Sequence, residues 1–106
     1  MGKIIYADHS ATTYVKDEVI KEMLPYFTLN YGNPSSAYSI GRVSKEAVEK
    51  ARIKVAKAIG AESNEIYFTA GGSESDNMII KGIARANKTK GKHIITTKIE
   101  HLAVLN

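Results

Sequence analysis

Ile66-Tyr-Phe-Thr69-Ala70-Gly71-Gly72-Ser73-Glu-Ser-Asp76-Asn77 changes character twice within twelve residues. The run Asn64 to Thr69, aromatic and β-branched, predicts a short buried strand, and Ala70-Gly71-Gly72 ends it abruptly. Ser73 then opens a helix. Ser73-Glu-Ser-Asp76 has the Ser-x-x-acid form of a capping box ahead of Met78, Ile79, Ile80 and Ile83. Lys90-Gly91-Lys92 closes that helix, and His93 to Thr97, centred on Ile94 and Ile95, predicts a second strand far enough along for a parallel crossover. The stretch therefore reads as a βαβ unit and the chain as α/β.

A strand entering a glycine turn and then a helix aims free backbone N–H groups and the positive end of a helix dipole at one point. A phosphate suits that point, with Gly72 allowing close approach and the Ser73 hydroxyl adding a donor. The pattern is neither a Walker A loop nor G-x-G-x-x-G, and two readings stay open: an anion site, or a Ser73 that only caps its helix.

Upstream, residues 4 to 13 read as a strand or ordered loop. Asp17 to Phe27 carries Val19, Ile20, Met23, Leu24 and Phe27 at helical spacing, with acids in the first turn and Pro25 to kink or end it. Asn30 to Ser36 has the Gly, Asn, Pro and Ser density of a loop of defined shape. Ile40, Val43, Ala47, Val48, Ala51, Val55, Ala58 and Ile59 then form one stripe of a long helix, stopped by Gly60.

With 106 residues, one domain at most is expected and a two-domain enzyme is excluded. The net charge of +4 is spread among helix faces without a basic block, so no nucleic-acid partner is indicated. Cysteine is absent, which removes thiolate metal sites and a cysteine nucleophile within these residues. No apolar run is long enough for a signal peptide or a membrane span, so a cytoplasmic location is expected.

His101 follows Glu100 just past the second predicted strand, the end at which parallel sheets bind ligands. An imidazole there suits stacking on an aromatic cofactor or moving a proton; the bland alternative is a surface residue. His9, beside Asp8, is a weaker candidate of the same kind, and His93 reads as structural. The three histidines lack zinc-ligand spacing, so no metal site is expected. No serine lies in a G-x-S-x-G context, and Asp8 with Glu100 is not assigned as an acid–base pair.

Four motifs in order, Tyr6-Ala-Asp8-His-Ser-Ala11-Thr12-Thr13, Gly32-Asn-Pro-Ser-Ser36, Phe68 to Asn77 and Glu100-His101-Leu-Ala-Val104-Leu105, resemble the amino-terminal quarter of the NifS/IscS-type cysteine desulfurases, relatives of the class V aminotransferases. The resemblance covers nearly the whole chain. It implies the large domain of the pyridoxal-phosphate (PLP) transferase fold (fold type I), helix-rich here with a βαβ unit, with residues 1–15 an extended segment on the small-domain side and 16–106 the beginning of the cofactor-binding large domain.

It further implies a homodimer that takes sulfur from L-cysteine, leaves alanine, and supplies a sulfur-acceptor or scaffold protein for iron–sulfur cluster or thio-cofactor assembly. Gly72 and Ser73 match the pair that holds the cofactor phosphate, and His101 matches the histidine that stacks on the pyridine ring and assists proton transfer. Asn33 and the Ala11-Thr12 pair match segments near the active-site mouth. Ser73 stands where threonine is usual but keeps the hydroxyl, and Leu102 stands where proline or another residue often follows the histidine.

The family's cofactor-anchoring lysine, pyridine-nitrogen aspartate and sulfur-accepting cysteine lie downstream, and Lys81, Lys92 and Lys98 do not take that lysine's place. The chain is thus expected to be a fragment, inactive alone, and prone to self-association through exposed apolar faces. The alternatives are another class V enzyme such as a selenocysteine lyase, or a non-enzymatic anion-binding or interaction module if the chain is complete.

Overall fold

Asp17 and Glu18, acids at the positive end of a helix dipole, start α1 (Asp17–Met23). Leu24 keeps right-handed helical angles, so the chain runs directly into a further short turn, α2 (Pro25–Thr28). Pro25 sits there at the first helical position, where its missing N–H is no loss. The backbone N–H groups of Leu29 and Asn30 both donate to the Pro25 carbonyl, at 2.9 and 2.8 Å, and turn the chain out of the helix. Pro25 thus ends one helix and starts another.

The long helix α3 (Ser39–Ile59) ends at Gly60, whose φ of 71° is left-handed. The Ala61 N–H then donates back to the Ala56 carbonyl at 2.9 Å, closing the helix in the manner of a Schellman motif. A 3₁₀ turn follows at Ser63–Glu65.

What α3 buries differs from the apolar stripe. Gly41, Ser44 and Ala56 are its buried residues, whereas Ile40 and Val43 are each 46% exposed. For Gly41 and Ser44 the reason is the loop at 30–36, which lies directly on the helix backbone. A Cβ added to Gly41 would stand 2.5 Å from the Asn33 carbonyl oxygen and 2.8 Å from Ser36 Cβ. One added to Gly32 would stand 2.5 Å from the backbone of Ile40. Close approach selects the small residues of the helix and leaves the larger ones outside.

The computed structural model describes residues 4–105; the first three residues of the 1–15 segment and Asn106, the last of 16–106, lie outside the described residues. The chain divides after Glu65 into two compact units. The second holds α4 (Gly72–Ala86) and the short α5 (Leu102–Leu105), which packs against it. Asn87 closes α4, its backbone N–H (3.0 Å) and side-chain amide (2.9 Å) both donating to the Ile83 carbonyl.

The two expected strands do not form a ladder. Among the described residues there is no β-strand, and the segments at 64–69 and 93–97 carry no sheet structure. The expected burial is also absent: Tyr67 is 69% exposed and Ile95 92%. Two short apolar runs fall below the three strands, or strands backed by a covering layer, that an independent sheet needs. The βαβ unit is therefore present as its helix and two flanking segments. No helix among the described residues is long and apolar enough to cross a membrane.

Candidate functional site

The start of α4 carries the most chemistry in the smallest space. The helix begins at Gly72, with Gly71 as its N-cap, two residues before the Ser73 cap that the sequence pattern predicts. Ser73 therefore lies inside the first turn, and no side chain caps the helix, so the expected Ser73 capping box does not form. The first turn's backbone N–H groups, at Gly72, Ser73 and Glu74, have no intrahelical acceptor. Nothing lies within 4 Å of a Cβ built on Gly71 or Gly72, so the backbone there is open to close approach.

The polar groups around this turn hold it from behind. The Glu74 carboxylate accepts the backbone N–H of Ala70 at 2.7 Å. The Thr69 hydroxyl donates to the Gly71 carbonyl at 3.2 Å and pairs with the Ser75 hydroxyl at 2.7 Å. The Ser75 N–H donates to the same Gly71 carbonyl at 3.2 Å. Gly71 is thereby fixed by contacts on its carbonyl side. A phosphate monoester fits this donor set: an uncapped dipole end, glycine backbone and a serine hydroxyl.

His101 stands at the start of α5, in the same unit. Its carbonyl accepts the Val104 N–H at 2.9 Å, and its Nδ1 accepts the Ala103 N–H at 3.1 Å. A ring whose Nδ1 accepts carries its proton on Nε2 when neutral, so helix capping sets the tautomer. The side chain is exposed. Glu100 accepts from the Thr97 hydroxyl at 3.0 Å.

Within the first unit, the segment at 6–13 is an ordered loop organised by a tyrosine. The Tyr6 hydroxyl donates, shared between the carbonyls of Asp8 (2.8 Å) and Thr12 (3.0 Å). The Ser10 hydroxyl donates to the Asp8 carboxylate at 3.0 Å, His9 Nδ1 lies 3.1 Å from the Thr13 hydroxyl, and the Tyr6 and His9 rings meet edge to face. Asn33 accepts the Ser35 N–H on its side-chain oxygen at 2.8 Å, so its side chain holds its own turn. Asp8 and Glu100 fall in different units.

An open groove of about 860 Å³ flanks the other half of α4, between Ile79, Ile80 and Ile83 and the segment that includes His93 and Ile94. It is apolar and lies away from the uncapped helix start. Among the described residues no three His, Asp or Glu side chains gather as a metal site would require.

Residues 5–106 match the aminotransferase class-V family. The chain belongs to that family. It is 64% identical over 106 residues to "Cysteine desulfurase IscS" of Clostridium botulinum, covering 100% of this chain and 27% of the relative. It is also 64% identical over 105 residues to the protein of that name from Methanosarcina thermophila, covering 99% and 26%. A solved structure described as a NifS-like protein superposes with a TM-score of 0.83 at 46% identity, over 92% of this chain and 27% of that one. The fold is accordingly a helix-rich part of the class V, PLP type I fold, and the chain spans about a quarter of the length of these relatives.

The sequence pattern named Gly72, Ser73 and His101 as candidates but not the residues that hold the turn at the start of α4, Thr69, Glu74 and Ser75; within the first unit it also missed Gly41 and Ser44 beneath the loop at 30–36. Glu74 was legible in principle, as an acid at the third helical position once the helix start is set at Gly72.

Proposed function

We propose that this chain is the amino-terminal part of a PLP-dependent cysteine desulfurase. The full protein converts L-cysteine and an enzyme cysteine thiol to L-alanine and an enzyme persulfide, whose outer sulfur passes to an acceptor or scaffold protein for iron–sulfur cluster or thio-cofactor assembly. The observation that carries this reading is the 64% identity, across all 106 residues, to proteins described as cysteine desulfurases. A cytoplasmic homodimer is part of the same proposal, as is the division into a small-domain segment at 1–15 and large-domain residues at 16–106.

Bound PLP supplies an electron sink for negative charge at the substrate Cα. Gly72 and Ser73 would hold its phosphate with backbone N–H groups and the Ser73 hydroxyl, at the positive end of the α4 dipole. With PLP bound, His101 would stack on its pyridine ring, and Nε2, left with the proton by the Ala103 contact to Nδ1, would exchange protons with substrate. The sequence contains no cysteine, so the sulfur-accepting thiol comes from outside these residues. In this reading the lysine and aspartate partners of the cofactor do too, and the 106 residues alone are inactive.

The test is turnover by the full-length protein loaded with PLP, given L-cysteine and a thiol reductant. Alanine and sulfide are expected in equal amounts, and His101→Ala lowers the rate by about 10²-fold, the scale of a lost acid–base group, with an unchanged melting temperature. Turnover of L-selenocysteine but not L-cysteine reassigns the substrate, and turnover of neither overturns the reading.

A further inference from the structure

The turn that offers Gly72 and Ser73 to a phosphate is itself held by a negatively charged side chain. Glu74 sits in the first turn of α4, and its Oε2 accepts the Ala70 N–H at 2.7 Å, four residues back and across the glycines. The glycines cannot fix their own geometry, because neither carries a side chain and no atom packs within 4 Å of where one would be. Two contacts span them: the Glu74–Ala70 bond, and the Thr69–Ser75 hydroxyl pair with Thr69 on the Gly71 carbonyl. Of the two, only the first ties down an N–H on the residue entering the turn.

We propose that Glu74 is a positioning residue for the cofactor phosphate: its carboxylate fixes the Ala70 N–H, and through it the aim of the Gly72 and Ser73 donors. This rests on the reading of the α4 start as the PLP phosphate site. The negative charge is not what the role needs, since a carboxylate in the same helix turn as a bound phosphate repels it. The required property is an acceptor at the correct reach, which glutamine also provides.

The experiment uses the full-length apoprotein titrated with PLP and, separately, with pyridoxal, which lacks the phosphate. Wild type binds PLP more tightly than pyridoxal. Glu74→Ala weakens PLP about tenfold, the scale of losing one positioning hydrogen bond, and leaves pyridoxal unchanged. Glu74→Gln keeps PLP affinity at or above that of wild type. An equal loss for both ligands would make Glu74 a general structural residue and overturn the proposal. So would a Glu74→Gln loss as deep as that of Glu74→Ala, or unchanged PLP affinity in Glu74→Ala. If wild type itself shows no preference for PLP, the phosphate-site reading fails first.

Discussion

Two pairs of glycines do opposite things in this molecule. Gly32 and Gly41 lie where a loop and α3 press backbone on backbone, and a Cβ on either would meet atoms at 2.5 Å. Gly71 and Gly72 lie where nothing approaches within 4 Å. The first pair is small because the protein fills the space around it. The second pair is small with the space still open, which is what a site for a close-fitting anion requires. Glycines of identical sequence appearance thus separate into close-packed and open positions once their surroundings are known.

That contrast breaks most readily at Gly41. In the full-length protein, Gly41→Ala is expected to cost about 2–3 kcal/mol, the range for overpacking against a rigid neighbour, measured by denaturant unfolding. A neutral result would mean that the loop at 30–36 moves aside and that the close approach is incidental. Ser44→Ala is expected to cost about 1–2 kcal/mol, because it removes the 2.9 Å bond from the Ser44 hydroxyl and leaves the Asn30 carbonyl part-buried without that donor. Equal stabilities for Ser44→Ala and wild type would show that the glycines alone hold the loop.

The smallest change in stability is expected at the other pair. Gly72→Ala should alter unfolding free energy by no more than about 0.5 kcal/mol, since alanine favours the helix and meets no neighbour. The same substitution should weaken PLP binding, read by titrating the apoprotein. A large stability loss at Gly72, or full retention of PLP affinity, would erase the distinction between the two pairs.

The helices were legible because each carries its own punctuation. Asp17 and Glu18 mark a start, Pro25 a break, Gly60 a left-handed stop, and the isoleucines of α4 a periodic face. The strands were not realised, since strand identity depends on neighbours that sequence-local patterning at 66–69 and 93–97 does not supply. The candidates Gly72, Ser73 and His101 were read from the motifs at 68–77 and 100–105. The α4 N-cap was misplaced by two residues because Ser73 resembles an N-cap, whereas Gly71 takes that position. Gly41 and Ser44 escaped notice because an apolar stripe ranks residues by hydrophobicity, and close backbone approach ranks them by size.

The structure of the full-length protein with PLP bound tests the site most directly. The cofactor phosphate is expected within about 3 Å of the Ser73 hydroxyl and of the first N–H groups of α4, hydrogen-bond distance, with Glu74 still on the Ala70 N–H. A phosphate bound elsewhere, with the α4 start covered by protein, would contradict it.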